Sequence, residues 1–279
     1  MNGCVDLHTH SMYSDGTLTP TQLVQHAVAI GLRAIALTDH DTVEGLAQAQ
    51  AEAEKHDITF VTGIEIGVAF ETEMHILGLN IDYLKPDFLQ QVQHLRSFRN
   101  ARNPQIIDKL NALGIDITMD EVSDNAGGQV SGRLHIANVL VQKGAVASTQ
   151  EAFSKYLGET GLAYVRKQKL TAKEGIAIIK QAGGLAFLAH PIYIEKHGID
   201  LKPVLVELKA YGLGGIEAYY SEYSAEDTVR YLNLCEQLGL LPCGGSDFHG
   251  ANKPEIALGN GRGTLCVPDS VLKKMLEYR

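Results

Sequence analysis

His8 and His10 stand two residues apart in Asp6-Leu7-His8-Thr9-His10, at the end of the first apolar run, Val5 to Leu7. Side chains at i and i+2 of an extended segment point the same way, so both imidazoles can converge on one point. The same kind of ending recurs along the chain. Thr38-Asp39-His40, Gly63-Ile64-Glu65, Ala189-His190-Pro191 and Ser246-Asp247-Phe248-His249 each follow another short run of β-forming residues. Imidazoles and carboxylates collected at the ends of several strands are what a cluster of divalent metals requires.

The chain has 11 histidines, and context divides them. His26, His56 and His94 sit in helical, polar stretches and His197 in a loop, the setting of ordinary surface residues. His8, His10, His40, His190 and His249 lie at strand ends beside Asp, Thr, Ser or Pro. Any one alone is better explained as a satisfied core histidine; together with Glu65 and Asp247 they read as ligands. His75 lies mid-strand in Met74-His75-Ile76-Leu77, where a ligand and a half-buried structural imidazole fit equally. Asp15 follows in Ser14-Asp15-Gly16, where Asp often serves only as a turn former. Asp39 and Asp41 suit carboxylates that orient an imidazole, and Glu217 suits that role or one facing substrate.

The elements that must carry these residues alternate. Val5–His8, Ala34–Leu37, Thr59–Ile64 and Met74–Leu79 read as strands. Between them a helix opens at Thr19-Pro20 and stops at Gly31, and another runs over Val43–His56. Helical crossovers between short buried strands imply a parallel sheet. From Pro86 the texture changes: Asp87–Arg102 is helical, Asn103-Pro104 is expected to break it, and a second helix ends at Gly114. Thr118-Met119-Asp120-Glu121 is a capping box opening a third helix, and His135–Lys143 and Thr149–Tyr156 continue the pattern. Residues 84–164 therefore read as a helical insertion between barrel segments 1–83 and 165–279. Alternation resumes with a helix from Ala172, strands over Leu185–Ala189, Gly215–Ala218 and Leu241–Gly244, and a helix over Glu226–Leu238. In parallel α/β barrels reactive residues sit at the C-terminal ends of strands, which is where the suspect residues fall.

Bulk properties narrow the function classes. With 279 residues and 45% hydrophobic content the chain can bury one barrel-sized α/β core. No stretch approaches the roughly 18 uninterrupted apolar residues of a membrane span, and the N-terminus lacks the pattern of a secretory signal. Cys4, Cys235, Cys243 and Cys266 form no C-x-x-C pair and read as reduced, buried thiols of a cytoplasmic protein. A net charge of −9 argues against a footprint for duplex DNA, but not against a small anionic substrate. No membrane association and no obligatory protein partner are expected.

The set D-L-H-T-H, S-D-G, L-T-D-H-D, G-x-E, A-H-P and G-S-D-F-H resembles the PHP (polymerase and histidinol phosphatase) family of metal-dependent phosphoesterases, from residue 4 to about 250. The resemblance implies an α/β fold, a distorted (β/α)7 barrel with the inserted helical subdomain, and a centre of three divalent ions. It implies one ion held by His8, His10, Glu65 and Asp247, a second by Glu65, His75 and His190, and a third by Asp15, His40 and His249. Donor sets without thiolate suit manganese, the first expectation, and also iron or zinc. Such ions would keep the site positive inside an acidic protein and attract phosphate. The implied chemistry is hydrolysis of a phosphate ester by a hydroxide held between ions, around Glu65 and Asp247. His249 is a candidate for proton delivery to the leaving group.

Ser131-Gly132-Arg133-Leu134-His135 marks a loop-to-helix junction that could offer N–H groups and a guanidinium to phosphate. Read alone, Arg133 fits a surface residue better. A stand-alone chain with this segment resembles a bacterial branch of the family that removes phosphate from nucleoside 3′,5′-bisphosphates and trims short RNA or DNA from a 5′-phosphorylated end. In that setting Arg133 and His135 would hold the second phosphate. Arg166, Lys167 and Lys169 form a basic cluster that fits a phosphate contact and a solvated face equally well. A histidinol-phosphate-type monophosphatase is the alternative.

Overall fold

The computed structural model describes residues 3–125, 132–166 and 168–278. Nine short strands build one sheet: β1 (Cys4–Asp6), β2 (Ala34–Leu37), β3 (Thr59–Ala69), β4 (Met74–Leu79), β5 (Leu170–Thr171), β6 (Leu185–Leu188), β7 (Gly215–Tyr220), β8 (Leu241–Gly245) and β9 (Val267–Pro268). Their order is β8-β7-β6-β4-β3-β2-β1-β9, with β5 added beside β3. Beyond β1 the chain turns back on β8. Leu7 N–H donates to Gly244 O (3.1 Å), Asp247 N–H to His8 O (2.9 Å) and His10 N–H to Phe248 O (3.0 Å), so the sheet curls into a nearly closed barrel. Gly245 permits this seam, because a Cβ there would meet His8 N at 2.4 Å.

The helices are α1 (Pro20–Ala29), α2 (Leu46–Ala53), α3 (Pro86–Ala112), α4 (Met119–Asn125), α5 (Arg133–Gln142), α6 (Thr149–Ala152, continued by a π-turn over Phe153–Leu157), α7 (Ala172–Gln181), α8 (Ile192–Lys196), α9 (Leu201–Tyr211), α10 (Ala225–Leu238) and α11 (Asp269–Glu277). Local sequence sets several starts. Thr19 accepts from Gln22 N–H with Pro20 in the first turn, and Thr118 and Glu121 cap each other as the motif requires.

Strand alternation sorts the apolar residues into two layers. Ile64, Ile66 and Val68 of β3 face the helices with Leu37, Leu46 and Ile176, whereas Val5, Leu7, Leu77, Phe187 and Cys243 fill the barrel interior. A third apolar cluster, including Ile106, Leu110, Ile136, Leu140 and Leu157, is built from α3–α6 and the segments that join and follow them.

Three expectations need correction. The sheet is mixed: β4 runs antiparallel to both β3 and β6. The link from Ala69 to Met74 is far shorter than the roughly dozen residues a parallel crossover needs, so β3 and β4 form a hairpin. Asn103-Pro104 does not end a helix, because α3 runs through Pro104. Its N-terminal half buries Phe88, Val92 and Leu95 in the barrel's outer layer and its C-terminal half buries Ile106, Ile107 and Leu110 in the separate helical cluster. Burying these side chains at about 1.5–3 kcal/mol each outweighs the roughly 3 kcal/mol cost of an internal proline. Finally, Cys4 and Cys266 are joined in a disulfide across 262 residues, and Cys235 and Cys243 alone are free and buried. The antiparallel pairing Cys4↔Pro268 and Val5↔Val267 brings the two cysteines together. No helix among the described residues is long and apolar enough to cross a membrane.

Candidate metal centre

Glu65 lies at the middle of the strand-end residues. Its inward orientation on β3 follows from the outward packing of Ile64 and Ile66. One carboxylate oxygen, Oε1, faces His75 Nδ1 (2.8 Å) and His190 Nε2 (3.1 Å). The other, Oε2, faces His8 Nε2 (3.3 Å), His10 Nε2 (3.2 Å) and His40 Nδ1 (3.1 Å). Asp247 Oδ1 approaches His8 Nε2 (3.5 Å) and His10 Nε2 (3.2 Å). Asp15 completes the group, with Oδ1 at 3.3 Å from His249 Nε2 and Oδ2 at 3.7 Å from His40 Nε2. All the residues expected as ligands therefore meet at one end of the barrel. His10, Asp15, His40 and His249 form one tight set, His8, His10, Glu65 and Asp247 a second, and His40, Glu65 and His75 a third. His10 and His40 each belong to two sets, a sharing that spacing alone does not reveal.

The donor atoms suit cations. His8 Nε2, His10 Nε2 and Glu65 Oε2 are buried and lack a hydrogen-bond partner, an arrangement that costs free energy unless an ion fills the centre. Burial alone would raise the carboxyls of Asp15, Glu65 and Asp247. The surrounding charges win and hold all three well below the usual carboxylate range: His249 and His40 for Asp15, His40, His75 and His8 for Glu65, Lys253, His249 and His8 for Asp247. Burial pushes His40 down, against the pull of Glu65 and Asp15. Burial also opposes charge on His8 and His10, but the acidic neighbours outweigh it and raise both. Negative charge that draws protons onto these rings also draws a divalent cation, and binding the cation releases the protons.

A surrounding layer orients the rings. Glu217 Oε1 accepts from His8 Nδ1–H (3.0 Å) and its Oε2 from His190 N–H (2.7 Å), which turns His8 Nε2 toward the centre. Asp39 accepts from Ser11 N–H, Ser11 Oγ–H and Ser14 Oγ–H, and Ser14 Oγ lies 3.4 Å from His10 Nδ1. Asp6 binds Ser246 through its N–H (2.9 Å) and hydroxyl (2.6 Å) and so holds the loop that presents Asp247. Three partners were not foreseen. Asp247 Oδ2 accepts from Lys253 Nζ (2.7 Å) and Tyr220 OH (3.0 Å), while Glu73 Oε1 lies 3.3 Å from His75 Nε2. Glu73 could have been found, since it precedes His75 by two positions and shares its face. No spacing rule points to Lys253.

Arg133 opens α5 and His135 is buried within its first turn. Arg133 Nη1 donates to Leu157 O (3.1 Å), and its guanidinium lies 5.5 Å from the Phe153 ring centre. His135 Nδ1 accepts from Gly132 N–H (3.0 Å), which leaves Nε2 as the protonated nitrogen of the neutral ring. Glu73, the carboxylate against His75, is held below the usual carboxylate range by His75 and to a lesser degree by Arg133. Ser131 and Lys167 lie outside the described residues.

Comparison with known proteins gives concordant matches. The model of the PHP domain family matches residues 6–168. A 5′-3′ exoribonuclease of Haemophilus influenzae is 36% identical over 245 residues, 88% of this chain and 89% of that protein. A 3′,5′-nucleoside bisphosphate phosphatase of Chromobacterium violaceum is 34% identical over 249 residues, 88% and 87% of the two chains. A crystal structure from Bifidobacterium adolescentis, provisionally assigned as a metal-dependent phosphoesterase, superposes with a TM-score of 0.87 at 29% identity, covering 98% of this chain and 95% of that one.

Proposed function

We infer, since this chain belongs to the PHP domain family, that it hydrolyses the 3′-phosphate of nucleoside 3′,5′-bisphosphates and trims short 5′-phosphorylated oligonucleotides from their 5′ ends. The observation that carries the reading is the buried carboxylate of Glu65 surrounded by His8, His10, His40, His75 and His190. One ion would be held by His8, His10, Glu65 and Asp247, a second by Glu65, His75 and His190, and a third by Asp15, His40 and His249. Manganese is the first choice for this set and iron or zinc the next. Divalent ions there supply Lewis acidity, a lowered water pKa and neutralisation of phosphoryl charge.

The chain's own residues supply the rest. Glu217 fixes the tautomer of His8, and Lys253 with Tyr220 holds Asp247 Oδ2 so that Oδ1 faces inward. His249 Nδ1–H donates to Asp247 O (2.8 Å) while Nε2 faces Asp15, which favours a ligand role over proton delivery. The helical segment 84–164 covers the mouth, and its Arg133 and His135 bind the phosphate that is not cleaved. Mononucleotide bisphosphates and short RNA are cytoplasmic substrates, and we place the protein there.

The test is phosphate release by manganese-loaded protein from adenosine 3′,5′-bisphosphate, 5′-AMP and histidinol phosphate. Rapid release from the bisphosphate and little from 5′-AMP are expected. Arg133→Ala should lower kcat/KM on the bisphosphate about 10- to 100-fold, the worth of a hydrogen-bonded charge pair. Preference for histidinol phosphate, with Arg133→Ala unaffected, would instead assign a small-molecule monophosphatase.

A further inference from the structure

We propose that Lys169 is a second phosphate-binding cation, which acts with Arg133 on the uncleaved phosphate and sets the preference for bisphosphates over monophosphates. The proposal rests on the phosphoesterase reading above. It starts from strand register. β5 pairs in parallel with β3 through Val68↔Leu170, and β3 pairs with β4 through Gly67↔His75. One residue back from Leu170, Lys169 is level with Gly67, and His75 lies on the next strand. Leu170 packs on the outer apolar layer with Val68, so strand alternation turns Lys169 to the opposite face, the one that carries Glu65 and His75. A Cβ at Gly67 would lie in ordinary contact with His75 at 3.4 Å, so this face of β3 borders the imidazole.

The electrostatics agree with this placement. Lys169 is half-buried, and its ammonium interacts with Glu73, Arg133, Asp41 and Glu159. Glu73 in turn feels His75, His190, Arg133 and Lys169. Two cations from separate elements, the first turn of α5 and the entry to β5, therefore act on the one carboxylate that lies against His75. Among the described residues neither is held in an ion pair with a carboxylate within 4.0 Å. Arg133 uses Nη1 on Leu157 O and keeps its other N–H groups for a ligand. Two half-buried like charges repel, and a phosphate dianion between them converts that repulsion into two charge-assisted contacts. Glu73 does not substitute for it, because that carboxylate already lies against His75.

The experiment compares wild type, Lys169→Met and Lys169→Arg, each loaded with manganese. It measures kcat and KM for adenosine 3′,5′-bisphosphate and for 3′-AMP, calorimetric binding of 5′-AMP, and bound metal. Lys169→Met should cut the bisphosphate-to-3′-AMP ratio of kcat/KM about tenfold, through KM, and weaken 5′-AMP binding about as much. Lys169→Arg should recover most of both, with metal content equal in all three. Equal losses on both substrates or loss of metal would make Lys169 structural, and unchanged values would make it solvent-facing; either overturns the proposal. If wild type does not distinguish the two substrates, the bisphosphate reading fails, and 5′-AMP binding then decides Lys169 separately.

Discussion

At the barrel mouth Asp41, His190 and Asp247 adopt left-handed φ values of 54°, 28° and 57°, whereas the positive-φ residues described within 84–164 are the glycines Gly114 and Gly144. A non-glycine residue held there costs on the order of 1–3 kcal/mol and persists only where its surroundings over-determine it. The mouth supplies that: His190 N–H is bound by Glu217, and Asp247 by Lys253 and Tyr220. The helical segment packs its own apolar cluster and presents Arg133 from an unstrained first turn. The contrast has a chemical basis. Ion coordination tolerates errors of tenths of an ångström, so its ligands need rigid strand ends, while a phosphate met by long cationic side chains does not.

The largest test of this division is Glu65→Gln. It should abolish tight metal binding and lower phosphoesterase activity by about three orders of magnitude, roughly 4 kcal/mol, while the urea transition of the helical segment stays put. Retained metal in atomic-absorption analysis would mean that Glu65 is not the hub. Next comes Leu140→Ala, which empties part of the helical cluster and should cost about 2–5 kcal/mol. Its expected signature is a separate, earlier loss of helix by circular dichroism, with metal affinity preserved; metal released in step with that loss would show one cooperative unit instead of two. Smallest is Glu217→Gln, which leaves every direct ligand in place and should weaken metal binding about 10- to 100-fold. Unchanged affinity would show that His8 needs no orienting carboxylate.

Legibility follows the same division. β2 and β4 have the bounds expected from sequence, because a buried strand bracketed by polar or turn residues leaves little freedom. The strand-end histidines were readable because each carries its own local motif. The sharing of His10 and His40 between ligand sets was not, since it depends on how the sheet curls. Lys253 escapes sequence reading for a related reason: it supports a ligand instead of being one, and its contact with Asp247 follows no spacing rule, whereas Glu73 is readable from its place two residues before His75. Pro104 misled because a local penalty was weighed without α3's double anchorage in two cores. The β1–β9 pairing, and with it the Cys4–Cys266 bond, could not be inferred from a two-residue strand 262 positions away.

That bond changes the topology of the chain. In the oxidised protein the path from Cys4 to Cys266 is a closed ring, and it includes every residue of the metal centre. A pull applied between the two tails passes through sulfur and bypasses the barrel, so that load reaches the β1–β8 seam only after the bridge is reduced. An ATP-driven unfoldase that drags on one tail would thus have to haul a doubled strand through its pore.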